Sequence, residues 1–288
     1  MEFGGGGMNP GKREPVLTRL GEPAVSKATD AIGDQYRDAS NLNRRIALHA
    51  DYSTNRYGWQ RWVFDQLSFG EDCRILELGC GPGLLWKGNR DRIAPGWDIV
   101  LSDLFPGMVE EAQRNLGDIG NTITFAVVDA QAIPFPDYHF DAVIANHMLF
   151  HVPDKPQAFS EIRRVLKIGG TLYATTNGSD HLQELYELRE RFGLGVGPTS
   201  HLSPESFTLE NGFEQLVPWF SNISVDRYED ALCVTEVEPL IAYIRSGLGS
   251  SPEVDDKLSK MTQFIAECLS QNSSVFIRKS AGMFTCQL

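Results

Sequence analysis

No run in this chain approaches the roughly 18 consecutive apolar residues that a membrane span requires, and no apolar segment near residue 1 has the form of a secretory leader. A cytoplasmic location is therefore expected. Cysteine is scarce and scattered. The five residues Cys73, Cys80, Cys233, Cys268 and Cys286 form no C-x-x-C pair, which argues against a disulfide framework and against a zinc knuckle. Positive charge is also in short supply: 26 Lys and Arg stand against 38 Asp and Glu, a net charge of −12. Such a field repels nucleic-acid backbones and anionic membrane surfaces, so neither is expected as a partner. Internal repeats are absent as well, which removes solenoids and propellers.

What remains has the makeup of a globular protein: 288 residues, 42% hydrophobic and 22% charged. Residues 1–25, with four consecutive glycines at Gly4–Gly7, read as a disordered lead-in, and the piece before Met8 reads as a cloning remnant. Residues 26–70 show helical patterning and an aromatic cluster, Tyr57, Trp59, Trp62 and Phe64, giving a helical cover ahead of the first strand. From residue 71 strands and helices alternate. Arg74–Leu78, Ile99–Leu101, Ile123–Val128, Phe140–Ala145 and Gly170–Thr176 read as buried strands, with helical spacing at Met108, Val109, Ala112, Leu116 and at Phe159, Ile162, Leu166 between them. Strands apolar on both faces and joined by crossover helices predict an α/β, doubly wound parallel sheet. Beyond Thr176 the pattern predicts helices around 182–192, 207–220 and 255–269, and strands near 223–228 and 275–277.

The informative stretch is Ile75-Leu-Glu-Leu-Gly-Cys-Gly-Pro-Gly83, a strand running into Gly79, Gly81 and Gly83, where missing side chains let a ligand approach the backbone. Its G-x-G-x-G spacing has Leu84 where the dinucleotide pattern G-x-G-x-x-G has glycine. Glu77, just before the glycines, can meet a cationic amine. Asp103 ends the second strand, where a carboxylate accepts hydrogen bonds from both hydroxyls of a ribose, and Asp129-Ala130 ends the third, where an acid can take an adenine amino group. Three carboxylates at successive strand ends outline a site for a ligand with an adenosine end and a positive end. S-adenosylmethionine fits that outline; NAD, with two phosphates, fits it less well.

Residues from about 74 to 176 resemble the core of the class I S-adenosylmethionine-dependent methyltransferases, in particular the small-molecule group that includes the ubiquinone and menaquinone methyltransferases. The matching stretches are Leu76-Glu-Leu-Gly-Cys-Gly-Pro-Gly83, Asp103 with Gly107-Met108, Asp129-Ala-Gln-Ala-Ile-Pro-Phe-Pro-Asp137, Phe140-Asp-Ala-Val143 and Glu161-Ile-Arg-Arg-Val-Leu-Lys-Ile-Gly-Gly170. The resemblance implies a Rossmann-like, mostly parallel seven-stranded sheet whose last strand is antiparallel, with 71–288 forming the methyltransferase domain and its C-terminal elaboration. It implies S-adenosylmethionine as cofactor. By position, Glu77, Gly79, Cys80 and Gly81 would line the methionine and ribose, Asp103 and Leu104 the ribose, Asp129 and Ala130 the adenine, and Asn146 the methionyl end. Helices before the first strand fold over the cofactor in this family, which implies Tyr36 and Tyr52 as pocket residues; Trp62 and Phe64 read as core.

The implied reaction is displacement at a methyl carbon already activated by its sulfonium leaving group, so alignment and water exclusion are the protein's main tasks. A general base is optional. His147 and His151, in Asn146-His-Met-Leu-Phe-His151 after the fourth strand, are the candidates, with ordering of that loop as the alternative. No third ligand lies near this i, i+4 pair, so no metal is expected. Cys80 reads as a small structural residue, and Arg163-Arg164 and Arg189–Arg191 read as solvated helix faces. The expected activity is methyl transfer to an O, N or C nucleophile of a small apolar or aromatic molecule. The alternatives are a quinone-precursor C-methyltransferase, a non-catalytic S-adenosylmethionine-binding protein and a nicotinamide dehydrogenase. Against the last stand the glycine spacing and the absence of a Tyr-x-x-x-Lys pair. No pattern in the chain speaks to oligomeric state.

Overall fold

The computed structural model describes residues 39–117, 123–195, 205–249 and 251–288. Its centre is a seven-stranded sheet built from β1 (Arg74–Leu78), β2 (Asp98–Asp103), β3 (Ile123–Val127), β4 (Phe140–Asn146), β5 (Leu166–Asn177), β6 (Ser221–Tyr228) and β9 (Ala281–Gln287), in the order β3-β2-β1-β4-β5-β9-β6. The first five strands run parallel, and β9 lies antiparallel to both β5 and β6. This is the expected Rossmann-like sheet with one reversed strand.

Side chains alternate between the two faces of a strand, and both faces here are covered. Leu76, Leu78, Val143 and Leu172 face a core shared with α5 (Lys155–Val165). Ile75, Leu101, Ile144 and Tyr173 face another, shared with Val63 and Phe64 of α2 (Trp59–Gln66) and with α4 (Pro106–Leu116). Helix α5 starts where Asp154 accepts from the Gln157 N–H at 3.0 Å and a proline follows, and it ends at Val165, sooner than its Gly169-Gly170 stop suggests. The chain extends at once into β5, with Gly169 at φ +77° and Ile168 bulging outward, 88% exposed.

A third core sits above the strand ends. It joins Leu48 of α1 (Ala39–Tyr52) and Leu185 of α6 (Gln183–Arg191) to Leu240 and Ile244 of α8 (Val237–Arg245), and these in turn to Ile265 of α9 (Pro252–Asn272). Leu232 and Ile277 complete it from a two-stranded sheet, β7 (Ala231–Val234) against β8 (Val275–Arg278). Two strands, β7 and β9, go beyond the sequence expectation, while the helix expected over 207–220 shrinks to α7 (Gly212–Leu216). There Asn211 folds back, its Oδ1 accepting from the Thr208 N–H at 2.9 Å, and the segment before it becomes a turn. Among the described residues no helix is long and apolar enough to cross a membrane.

Candidate active site

Strand β1 delivers the chain into the glycine loop, followed by the short helix α3 (Leu84–Gly88). Gly79, Gly81 and Gly83 have φ of +66°, +52° and +73°, a region that side chains avoid. At Gly79 space adds to the constraint: a β carbon there would stand 2.6 Å from Met148 Cβ, on the loop after β4. The next strand pins the loop. Asp103 Oδ2 accepts from the Gly81 N–H at 3.0 Å, its Oδ1 from the Phe105 N–H at 2.9 Å, and the Ser102 carbonyl from the Cys80 N–H at 2.8 Å. Asp103 thus shapes the loop as well as facing the cleft, a role the sequence reading did not assign to it.

Glu77 shares the parity of Ile75, so its carboxylate enters the core that holds Trp86, whose indole N–H donates to Oε2 at 2.6 Å. Burial pushes the Glu77 carboxyl up to about 7; the indole hydrogen bond opposes this and the nearby Asp103 charge adds to it. Asp103 is pushed up to about 6 by its own burial, against the pull of the Phe105 and Gly81 N–H groups. Two residues past β3, Asp129 shapes a tight turn, its Oδ1 accepting from the Gln131 N–H at 2.9 Å, with buried Ala130 beside it. Asn146, the last residue of β4, accepts from the Thr175 hydroxyl at 2.5 Å.

Glu77, Gly79, Cys80, Gly81, Asp103, Leu104, Asp129, Ala130, Asn146, His147 and His151 all line one cavity of about 1420 Å³. The three segments that carry its carboxylates, 77–82, 103–108 and 127–131, contain no Lys or Arg. Carboxylates and an amide without basic companions suit hydroxyl, amine and sulfonium groups and reject phosphates. S-adenosylmethionine satisfies that donor set. Cys80 is buried, and burial, with the Asp103 and Glu77 charges, raises its thiol well above the usual range, which leaves it inert as a nucleophile.

His147 adopts φ +51°, an uncommon conformation for a side-chain-bearing residue, and its N–H donates to Thr175 Oγ1 at 2.9 Å. The Trp59 ring lies 4.9 Å from the imidazole, so α2 reaches over the loop after β4. His151 closes the following turn, its N–H donating to the Met148 carbonyl at 2.9 Å and its ring 4.5 Å from that of Phe150. Tyr52, expected in the pocket, does not line the cavity. It packs against the third core, with its phenol paired to Glu236, because α1 turns Arg45, Ile46 and His49 toward the cavity instead. Tyr36 lies outside the described residues.

The reading of Arg189 as solvated needs correction. It follows Leu182 and Leu185 at helical spacing, so α6 carries it inward to 6% exposure, onto the cavity wall with Arg45, His49, His181, Tyr186 and Tyr243. Sequence reasoning missed this group, although the spacing from Leu185 was the available signal. Arg164 is not simply solvated either, since it grips Glu161 and Asp137 at 2.8 Å each.

Residues 76–174 match a family model described as a methyltransferase domain. Among curated proteins, the ubiquinone/menaquinone biosynthesis C-methyltransferase UbiE of Hahella chejuensis is 31% identical over 163 residues, covering 56% of this chain and 61% of that protein. Its namesake from Pasteurella multocida is 30% identical over 143 residues, covering 49% and 53%. The chain therefore spans little more than half the length of these relatives. Of solved structures, Haemonchus contortus phosphoethanolamine N-methyltransferase 2 with S-adenosyl-L-methionine aligns at TM-score 0.57 and 17% identity, over 92% of this chain and 60% of that one, a likeness of fold. The YcgJ protein of Bacillus subtilis aligns at TM-score 0.56 and 18% identity, over 79% and 97%. Fold, glycine loop and matched segment agree: residues 76–174 match a methyltransferase domain, and the chain resembles the class I S-adenosylmethionine-dependent methyltransferases.

Proposed function

We propose that this protein transfers the methyl group of S-adenosylmethionine to the O, N or C nucleophile of a small molecule. The observation that carries the reading is the phosphate-averse wall of Glu77, Asp103 and Asp129 beside a glycine loop, inside a cavity with room for a nucleoside and a second molecule together. When bound, the cofactor supplies a carbon made electrophilic by positive sulfur. The chain's own residues bind, orient and exclude water. In this reading Asp103 holds the ribose hydroxyls while keeping Gly81 in place, Asp129 and Ala130 hold the adenine, and Glu77 and Asn146 hold the methionyl end. Trp59, Phe150 and Met148 give the reaction zone an apolar and aromatic lining. His147 and His151 stand where an acceptor's proton would be taken up, if the acceptor reacts as an O–H or N–H group.

The names of the relatives favour one narrower reading, C-methylation of a quinone precursor. Both readings are tested by incubating the full chain with cell extract and isotopically labelled methyl donor, then searching by mass spectrometry for labelled products. One labelled small molecule supports the proposal, and a labelled prenylated quinol supports the narrower form. Failure to bind S-adenosylhomocysteine in calorimetry, with NADH bound instead, overturns both.

A further inference from the structure

The cavity has a second chemistry where α1, α6 and α8 wall it. Arg45 comes from α1 and Arg189 from α6, and each places a guanidinium nitrogen 3.5 Å from the point that a Gly247 side chain would occupy, Arg45 through Nη2 and Arg189 through Nη1. Two like charges therefore converge on one point beside a glycine. Among the described residues their hydrogen-bond partners are neutral: Arg45 Nε donates to Ser246 Oγ at 3.0 Å, and Arg189 Nε to the Gly195 carbonyl at 2.9 Å. Arg189 Nη2 is closed off from solvent with no hydrogen-bond partner among the described residues. Burial, and in smaller measure the Arg45 charge, works against the positive charge of Arg189. The carboxylates that line the cavity, Glu77, Asp103 and Asp129, all belong to the glycine-loop wall, and none lies on α1, α6 or α8. Among the described residues, then, buried Arg189 and half-buried Arg45 beside it have no carboxylate partner, in a protein with only 26 basic side chains.

We propose that the methyl acceptor carries an oxyanion, a carboxylate or a phosphate, and that Arg45 and Arg189 clasp it beside Gly247. The inference rests on the methyltransferase reading and narrows its substrate class: an apolar or aromatic body lies along Trp59 and Phe150, and its anionic end is anchored under α1 and α6. Planar forks suit such an anion because each guanidinium offers two parallel N–H donors to paired oxygens.

The test is calorimetric titration of the full chain with benzoate, phenyl phosphate and neutral benzyl alcohol, with and without saturating S-adenosylhomocysteine. Anion binding in the millimolar range is expected, with benzyl alcohol weaker by at least about tenfold. Arg189→Gln and Arg45→Gln should each lower anion affinity by about tenfold or more and leave S-adenosylhomocysteine affinity within about twofold. Arg45 is only half-buried, so its variant serves if the Arg189 variant does not fold. Preference between benzoate and phenyl phosphate identifies the anion. The proposal is overturned if neither anion binds up to about 20 mM, if benzyl alcohol binds as well as the anions, or if the Arg45 variant keeps full anion affinity. Anion titrations without the nucleoside keep the two readings separable. Loss of S-adenosylhomocysteine binding alone strikes the cofactor assignment, and loss of anion binding alone strikes the arginine pair.

Discussion

Gly79→Ala tests whether the loop geometry is a requirement of close packing or only of backbone conformation. The new methyl group meets two costs. A side chain at φ +66° carries left-handed strain of roughly 1–2 kcal/mol. The β carbon would also sit 2.6 Å from Met148 Cβ and 2.9 Å from Met148 Cγ. A χ1 rotation can swing Cγ aside, but Cβ is fixed by the backbone, so the segment carrying Asn146, His147 and Met148 must shift; overpacking of this kind costs about 1–3 kcal/mol more. The total expected is about 2–5 kcal/mol, with S-adenosylhomocysteine affinity falling tenfold or more because Asn146 moves with Met148. Gly169→Ala is the matched control: its φ is +77° and nothing lies within 4 Å of its β carbon, so only the strain of about 1–2 kcal/mol applies. Urea unfolding gives both differences. A second control, Met148→Gly in the Gly79→Ala background, removes the clash and should recover the excess over Gly169→Ala as coupling energy. Equal destabilisation by the two alanines, or no recovery in the double variant, would refute the packing argument.

Asp103→Ala removes the acceptor that holds both Gly81 and Phe105, so S-adenosylhomocysteine should bind at least about tenfold more weakly; unchanged calorimetric affinity would take Asp103 out of the site. A carboxyl whose folded pKa is raised keeps its proton longer in the folded chain than in the unfolded one. The ligand-free protein should therefore lose stability as pH rises from 4.5 to about 7 through Glu77, and from 3.8 to about 6 through Asp103. A sulfonium cation favours the ionised forms, so S-adenosylmethionine should gain affinity relative to S-adenosylhomocysteine between about pH 5.5 and 7.5, with proton release detectable in buffers of different ionisation enthalpy. A pH-independent affinity ratio counts against that electrostatic reading. With a labelled acceptor in hand, His151→Ala should lower turnover more than cofactor affinity, whereas equal turnover leaves His151 with loop ordering alone.

The nucleotide half of the site was legible because it is local. Glu77, the three glycines, Asp103, Asp129 and Asn146 each sit at a strand end, and strand ends announce themselves by where an apolar run stops. The other half is assembled from distant pieces, Arg45 on α1, Arg189 on α6 and Tyr243 on α8, and no spacing within one segment reveals that they meet. Arg189 was concealed by its company: three charged residues follow one another in Arg189-Glu-Arg191, and only helical phase distinguishes the one that turns inward. Strands β7 and β9 escaped for a related reason. Lys279 and Ser280 alone separate β8 from β9, yet the two strands join different sheets, which proximity in sequence argues against.

The placement of β9 also bears on synthesis at the ribosome. Asn177 pairs with Ala281 and Ser221 with Gln287, so the strand that completes the sheet is inserted between two neighbours that have already been made. Until Ala281–Gln287 emerges, the edge of β5 and the edge of β6 are both open, and closing the loops between them carries an entropy cost that local contacts cannot offset beforehand. A nascent chain is then a parallel half-sheet with a bare margin, a natural client for chaperones, and the two halves of the sheet join in a single step when β9 emerges.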